Sequence, residues 1–323
     1  MHLKSQVTTT GDTQLANTEQ MLIKLFLTFL LSFSTYLIGE QRTIVHEGLE
    51  REYILHVPEK LNQNTPIVFV IHGYTGSAEG IVAYSGMNSI ADREGFIAVY
   101  PQGTIDSNGN TFFNVGYGFH DDSTINDVSF IRELFKSISQ EFKLNREKGF
   151  ATGMSNGGDM SYLLACTSSD LFKAVAPVAG VLMKGLKDSC NMTSPVPLFE
   201  IHGTADKISL YAGDLNNEEG WGPYYDLPST IDFFAKKNLL VNKSVEQITR
   251  KELGADYDIF FERHWTDGLD QEVWLYRIEG GRHVWPGIKF NWWSNPLLWF
   301  YFGSGNDDIN ASEEVWAFFK KYL

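Results

Sequence analysis

GFATGMSNGGDM, residues 149–160, contains the pattern G-x-S-x-G centred on Ser155 and is the starting point for interpreting this chain. The three residues before Gly153 predict a short buried strand, and the segment after Ser155 predicts a helix. A serine at such a strand-to-helix turn is typical of a nucleophile elbow. Gly153 and Gly157 lack the Cβ atoms that would obstruct the sharp turn. The stretch therefore predicts an α/β fold that presents the Ser155 hydroxyl at the edge of a sheet.

A serine hydroxyl is a weak nucleophile until a base accepts its proton, so the chain should supply a histidine and an acid. In hydrolases with this turn, the acid and then the histidine follow the serine, each on a loop after a strand. Asp206 follows the predicted strand 198–201, and His283 follows the predicted strand 273–278 after a Gly–Gly break. This order and placement predict Ser155, Asp206 and His283 as a catalytic triad.

Two other histidines follow the serine. His202 ends the strand that precedes Asp206 and is an alternative base, although its position before a glycine favours local packing or hydrogen bonding. His264 lies in the charged segment FERHWTDG, which shows no strand–loop pattern, and we expect it at the surface.

The negative charge that develops on the substrate carbonyl oxygen requires hydrogen-bond donors. The backbone N–H of Asn156, directly after the serine, is the first candidate. The second should come from the loop after an early central strand, which the β-branched run 66–71 predicts. We expect the N–H of Tyr74 to be this donor, with Thr75 as the alternative. His72 is expected to brace the loop without taking part in the chemistry.

Predicted strands alternate with predicted helices along the 323 residues, which indicates a mostly parallel central sheet flanked by helices on both faces. Hydrophobic residues make up 43% of the sequence, enough for a large core. The net charge of −14 argues against nucleic acid as a partner and against binding to anionic membrane surfaces.

No metal and no cofactor is expected. Asp106, Asn108 and Asn110 resemble half of a calcium loop, but no glutamate follows at the spacing that such a loop requires. We interpret these three residues as a turn between strands. Asp127 is expected to start a helix, and its position before the serine disfavours it as a catalytic acid.

The N-terminal part of the chain shows a processing signal. Residues 1–20 are polar and form an extension that does not belong to an ordinary signal sequence. Residues 21–39 carry a lysine, an apolar run and then small residues, which is typical of a secretory signal peptide cleaved after Ser34 or Gly39. A signal anchor is the alternative. Residues 40–323 are then expected to form a single catalytic domain, secreted and without stable membrane association after cleavage.

Taken together, the motifs resemble carbohydrate esterase family one of the α/β-hydrolase superfamily, which holds feruloyl esterases, acetyl xylan esterases and related poly(3-hydroxybutyrate) depolymerases. The matching segments follow the family's order, cover nearly everything after residue 43, and include VIHGYTG (70–76), NDVSFI (126–131), GMSNGGDM (153–160), IHGTAD (201–206) and GGRHVWPG (280–287). The resemblance implies the α/β-hydrolase fold and a serine esterase with the triad named above. Feruloyl or acetyl esters of plant polysaccharides are the implied substrates, with polyester depolymerisation as the alternative.

The resemblance also implies a disulfide. Cys166 and Cys190, the two cysteines of the chain, lie after the elbow, where family members carry a matching pair. A bond between them closes a loop of about 25 residues, which the chain-entropy treatment values at roughly 3–4 kcal/mol. Two buried free thiols are the alternative.

Aromatic and polar residues on loops after strands are candidates for substrate contact. We expect Thr75, Tyr211, Trp221 and Trp285 to contact the substrate, whereas packing of the aromatic rings against the core is the alternative. Further aromatic residues crowd the segment 292–302. A non-catalytic carbohydrate-binding relative is an alternative of another class, which the complete triad disfavours. A peptidase on the same scaffold would cleave amides and spare aryl esters.

Overall fold

The computed structural model describes residues 39–144, 149–289 and 305–323. The N-terminal extension, nearly all of the predicted signal peptide and the aromatic segment 292–302 therefore lie outside the described residues. The strands of the described part are β1 (Glu40–His46), β2 (Leu49–His56), β3 (Ile67–Ile71), β4 (Ile97–Pro101), β5 (Thr104–Ile105), β6 (Thr111–Phe112), β7 (Gly149–Met154), β8 (Phe172–Val178), β9 (Leu198–Gly203), β10 (Asn242–Thr249), β11 (Asp258–Trp265), β12 (Val273–Glu279), β13 (Ile288–Lys289) and β14 (Gly305–Asn306).

Ten of these strands form one sheet in the order β1-β2-β4-β3-β7-β8-β9-β12-β11-β10. The six central strands, from β4 to β12, pair in parallel, and an antiparallel pair extends the sheet at each edge. The central strands β3, β4, β7 and β9 are buried along their whole length, as expected for apolar strands covered on both faces. The predicted mostly parallel sheet is confirmed.

Helices cover both faces of the sheet. They are α1 (Ala78–Ser85), α2 (Met87–Glu94), α3 (Asp127–Glu141), α4 (Asn156–Thr167), α5 (Lys184–Ser189), α6 (Leu227–Lys237) and α7 (Ala311–Lys320), with 3₁₀ turns at Gly118–His120 and Lys251–Leu253. One apolar cluster joins the sheet to α3, α4 and α6 through residues such as Phe130, Tyr162 and Phe234. A second cluster joins the opposite face to α1, α2 and α7 through residues such as Ile81 and Val315. The two-faced covering agrees with the prediction of an α/β-hydrolase fold.

The parallel strands β3, β7, β9 and β12 all end at the same edge of the sheet because they run in one direction. The loops that follow them begin at His72, Ser155, Thr204 and Gly280. Ligand sites of open α/β sheets lie outside the carboxyl ends of the strands, so the topology alone brings these loops to one place.

Two local features were not predicted from the sequence. Gly86, in the left-handed region at φ 64°, separates α1 from α2. The hairpin β10–β11 was not expected, because β10 is an edge strand with exposed side chains on both faces and so lacks a clear apolar alternation.

The predicted disulfide is present. Cys166 near the end of α4 is bonded to Cys190 directly after α5, with 4.8 Å between their Cα atoms. The bond fixes the helix that follows the serine to the connection between β8 and β9. Among the described residues, no helix combines the length and the apolar character needed to cross a membrane.

Candidate active site

Ser155 occupies the turn between β7 and α4 in a conformation that an L-residue rarely adopts, with φ 56° and ψ −121°. The turn is tight because its neighbours approach other backbone closely. A Cβ atom on Gly157 would lie 2.1 Å from the carbonyl oxygen of Ile71, and one on Gly153 would lie 2.5 Å from the carbonyl oxygen of Gly157. The steric reason for the two glycines is therefore confirmed.

Asp206 and His283 form a buried hydrogen-bonded pair. The His283 Nδ1 atom lies 2.7 Å from Oδ2 of Asp206, and the two residues are 6% and 3% exposed. The other carboxylate oxygen of Asp206 accepts the backbone N–H groups of Ile208 and Ser209 at 2.8 and 2.9 Å. Burial alone would raise the pKa of Asp206, but the neighbouring His283 and these donors hold it below its usual value. An ionised Asp206 thus fixes the His283 ring with Nδ1 as the donor.

Hydrogen bonds between their loops hold the acid and the base together. The N–H of Ala205 donates to the carbonyl of Gly281 at 2.9 Å, and the N–H of Gly280 donates to the hydroxyl of Thr204 at 2.8 Å. Sequence reasoning placed both loops at strand ends but had no signal for this connection, which depends on the adjacency of β9 and β12.

Gly73 brings the first loop against the serine. A Cβ atom on Gly73 would lie 3.3 Å from Cβ of Ser155, so the backbone of the loop passes directly beside the nucleophile. The N–H of Thr75 already donates to the carbonyl of Thr111 at 2.9 Å. Of the two expected donors in this loop, the N–H of Tyr74 is therefore the one that remains for an oxyanion.

Asn156, the other expected donor, lies at the start of α4. The first N–H groups of a helix have no intrahelical acceptor, so the Asn156 N–H is available beside the serine. Its side chain is fully buried and exchanges two hydrogen bonds with the backbone of Phe113, at 2.7 and 3.0 Å. These bonds fix the elbow to the segment that follows β6.

His72 braces the loop, as expected. Its Nδ1 lies 2.7 Å from the carbonyl oxygen of Gly73, and its Nε2 accepts the N–H of Gly103 at 3.0 Å. Burial lowers the pKa of His72 to about 4, so the ring is neutral, donating from Nδ1 and accepting at Nε2.

The side chain of Tyr74 is anchored by the turn at Asp106. The Tyr74 hydroxyl donates to Asp106 at 2.7 Å and accepts from the Asn110 side chain at 2.8 Å, while His120 lies 3.0 Å from the same carboxylate oxygen. The other oxygen of Asp106 accepts the N–H groups of Asn108 and Asn110, both at 2.9 Å. The expected turn between strands is confirmed, since it joins β5 to β6, and it has a second role that the sequence did not reveal, namely holding Tyr74.

The two remaining histidines are both buried. His202 is 1% exposed and bonded at both ring nitrogens, to Glu200 and to the carbonyl of Ser209, which confirms the local hydrogen-bonding interpretation. The expectation that His264 lies at the surface is wrong, because it is 5% exposed in β11 and bonded to Glu262 at 2.7 Å. The charged residues next to His264 in sequence gave no indication of strand β11, which pairs with β10 on one side and with β12 on the other.

Ser155 and His283 open into a common cavity of about 620 Å³. Its lining also includes residues that the sequence analysis did not select, Ile81 and Tyr84 of α1 among them. The complete lining is His72, Gly73, Tyr74, Thr75, Gly76, Ser77, Gly80, Ile81, Tyr84, Met154, Ser155, Ile208, Trp221 and His283. No Asp, Glu, Lys or Arg is among these described lining residues, so the cavity suits uncharged, largely apolar groups.

The four expected substrate contacts separate into two groups. Thr75 and Trp221 line the cavity, and the Trp221 ring packs edge-to-face on Tyr74 at 5.7 Å. Tyr211 does not line it, and its ring lies 6.0 Å from that of His202. The expectation for Trp285 is wrong, because the side chain is 1% exposed and its indole N–H donates to Ser312 of α7 at 3.0 Å.

Comparison with known proteins finds similarity to named esterases. The model of the family described as Esterase PHB depolymerase matches residues 52–208. The chain is 30% identical to Probable feruloyl esterase C of Aspergillus flavus, over 55% of this chain and 64% of that protein. It is also 30% identical to Feruloyl esterase B of Piromyces equi, over 70% of this chain and 41% of that protein. The chain thus spans less than two thirds of the length of either fungal relative.

A solved structure shows the same fold. The acetyl xylan esterase from Aspergillus awamori superposes with a TM-score of 0.51 at 17% identity, covering 76% of this chain and 94% of that chain. The fold is therefore that of the α/β-hydrolases. In sequence, the chain is similar to proteins named feruloyl esterase and acetylxylan esterase and to the family model described as Esterase PHB depolymerase.

Proposed function

We propose that this chain hydrolyses carboxylic esters through an acyl-enzyme formed on Ser155. The observation that carries the proposal is the buried Asp206–His283 pair, at 2.7 Å, whose histidine lines the same cavity as the elbow serine. Because Nδ1 of His283 is bound to Asp206, Nε2 is the nitrogen that serves as the base.

The chemistry runs in two halves. The Ser155 Oγ bonds to the ester carbonyl carbon while His283 accepts its proton, and the oxyanion is held by the N–H groups of Tyr74 and Asn156. The carbon–oxygen bond to the alcohol then breaks, and His283 gives the proton to the departing alcohol. Water, deprotonated by the same ring, attacks the acyl-enzyme and releases the acid and free Ser155. Asp206 stays ionised throughout and stabilises the imidazolium.

Replacement of the nucleophile tests this mechanism. Ser155→Ala should leave the fold intact, as judged by circular dichroism, and should lower kcat for 4-nitrophenyl acetate by about 10⁴-fold or more. A protein that keeps most of its turnover after this change would refute the assignment of Ser155. The same assay with an anilide of the same acid separates an esterase from a peptidase, because a peptidase would cleave the anilide as well as the ester.

Feruloyl or acetyl esters of plant polysaccharides are the substrates that we propose first. The relatives named as feruloyl esterases support an aromatic acyl group, and Trp221 with Tyr84 lines a cavity without charged acidic or basic side chains among its described residues. Polyester depolymerisation is the second candidate, because the matching family is described by polyhydroxybutyrate depolymerase activity.

Methyl ferulate and methyl butyrate distinguish these candidates because they share one leaving alcohol. A higher kcat/KM for methyl ferulate would support the cell-wall esterase. A higher value for methyl butyrate, together with release of soluble acid from poly(3-hydroxybutyrate) film, would favour the depolymerase. Ser155→Ala provides the background rate for both.

The proposed cellular location of the protein is outside the cytoplasm. A disulfide between Cys166 and Cys190 persists in oxidising compartments, and the predicted signal peptide would direct the chain there. N-terminal sequencing of the protein recovered from culture medium tests both points.

A further inference from the structure

Behind the Asp206–His283 pair lies a second buried acid–histidine pair that the proposed mechanism does not use. Glu200 and His202 are 0% and 1% exposed, and Oε1 of Glu200 lies 2.9 Å from Nδ1 of His202. The other ring nitrogen of His202 lies 2.8 Å from the carbonyl oxygen of Ser209 and 3.6 Å from Oδ2 of Asp206. The two pairs therefore form one continuous line, Glu200–His202–Asp206–His283.

The partners of His202 define where its protons are. A carbonyl oxygen only accepts, so Nε2 must carry a proton to bond Ser209. Nδ1 faces the carboxylate of Glu200, so a second proton lies between these two atoms. Burial works against a charged ring, but the hydrogen bond to Glu200 and the carboxylate of Asp206 outweigh it and raise the pKa of His202.

Glu200 is anchored to the helix that follows the nucleophile. Its Oε2 accepts the hydroxyl of Tyr162 in α4 at 2.7 Å, and its Oε1 accepts the N–H of Gly180 at 3.2 Å. The carbonyl of Ser209 belongs to the turn whose N–H groups bind Oδ1 of Asp206. The pair thus connects the helix of the serine to the loop of the acid.

We propose that Glu200 and His202 are positioning residues of the esterase, with His202 held as an imidazolium that fixes the Asp206 loop and stabilises the ionised carboxylate of Asp206. The inference rests on the proposed function, since it assigns a role relative to the triad. His202 acts through Asp206 and does not itself touch the substrate cavity, whose described lining excludes it.

Other ionisable groups face His202 and enter any interpretation of pH dependence. Asp159 of α4 is fully buried, receives the hydroxyl of Tyr117 at 2.6 Å and the N–H of Val181 at 2.6 Å, and has a pKa raised by burial to about 7. Arg277 is the register partner of His202 on β12. Glu200 and Asp206 also interact with His202, and the Tyr211 ring lies 6.0 Å from the His202 ring. Through Glu200 and Asp206, the hydroxyl of Tyr162 and the ring of His283 are connected to this group.

Glu200→Gln tests the charge while keeping the shape. The amide oxygen can keep the hydrogen bond from Tyr162 while the NH2 group, in the place of Oε1, donates to Nδ1 and gives up the 3.2 Å bond from the Gly180 N–H. His202 is then neutral, which removes the positive charge 3.6 Å from Asp206. Asp206 then loses a positive neighbour that helps to keep its carboxylate ionised, so the pKa of Asp206 rises. We expect the acidic limb of the kcat/KM profile to move by about half to one pH unit toward higher pH, with a plateau lowered only a few-fold.

His202→Gln removes the charge and disturbs the contact with Ser209. We expect the same direction of shift and a fall in kcat of about 10- to 100-fold, because the Asp206 loop loses its support. His264→Gln is the matched control, since His264 is likewise buried in a strand and bonded to a glutamate two residues earlier, on β11. It should lower the melting temperature without moving the limb. Asp159→Asn serves as a second control, because it removes the other group near His202 whose pKa is close to neutral.

Nitrogen NMR of the histidine-labelled wild-type protein gives an answer that needs no stable variant of Glu200. A doubly protonated His202 ring at pH 8 supports the proposal, and a neutral ring overturns it. The proposal is also overturned if the acidic limb of the kcat/KM profile stays in place in both Glu200→Gln and His202→Gln while each variant loses stability as His264→Gln does. The pair would then have only a structural role. Failure of the proposed function is a separate result, since Ser155→Ala would then keep its activity.

Discussion

Gly157→Ala measures how tightly the elbow is held. The new Cβ atom would lie 2.1 Å from the carbonyl oxygen of Ile71 and 2.8 Å from that of His72. Ordinary contacts begin near 3.4 Å, so the elbow and the end of β3 must separate by about 1.3 Å. Both sides of the clash are backbone and cannot rotate away. Because a misplacement of about 1 Å can cost about 100-fold in rate, we expect kcat/KM to fall by about 100-fold or more.

The assay is kcat/KM for 4-nitrophenyl acetate alongside the free energy of unfolding in urea. Overpacking should cost about 1–3 kcal/mol, which leaves a folded population to assay. Gly185→Ala is the matched control, because its Cβ atom would meet nothing within 4 Å. Gly73→Ala, with contacts at 3.3 Å, should fall between the two. A Gly157→Ala protein within about threefold of the wild-type rate would refute the argument that backbone contact positions Ser155.

Three further outcomes follow from the structure. Replacing Cys166 and Cys190 by alanine should lower the free energy of unfolding by about 3.5 kcal/mol, the chain-entropy value for a separation of 24 residues, as measured in urea. Asp159 has a folded-state pKa raised by burial to about 7, so the folded form holds its proton while the unfolded form loses it above about pH 4. The free energy of unfolding should therefore fall as pH rises from about 4 to 7, with Asp159 contributing up to about 1.4 kcal/mol per pH unit. Asp159→Asn should flatten this pH dependence, and an unchanged slope would contradict the reasoning. Trp221→Ala should lower kcat/KM for methyl ferulate about tenfold more than for methyl butyrate, whereas Trp285→Phe should reduce stability and leave that ratio unchanged.

Most of the catalytic arrangement follows from residue order and strand placement. Ser155, Asp206 and His283 each follow a strand of a parallel sheet, and the carboxyl ends of such strands meet at one edge. The strand-end positions of the three residues of the proposed triad could therefore be predicted before any distance was known. The same reasoning narrowed the oxyanion donor to Tyr74 or Thr75, but only the hydrogen bond from Thr75 to Thr111 separates them.

The burial of individual side chains could not be predicted from strand order and placement. Trp221 and Trp285 both follow the nucleophile on loops, yet one lines the cavity and the other is covered by α7. His264 was assigned to the surface from its charged neighbours, although flanking strands bury it.

The amino-acid sequence by itself determined the elbow, the order of the triad and the alternation of strands and helices, because these depend on local backbone sterics and on periodicity. Only the tertiary structure decided which rings face the cavity, how Asp106 holds Tyr74, and that Glu200 and His202 stand behind Asp206. The physical reason is that burial and hydrogen-bond partners come from segments distant along the chain, which contribute nothing to the local pattern around a residue.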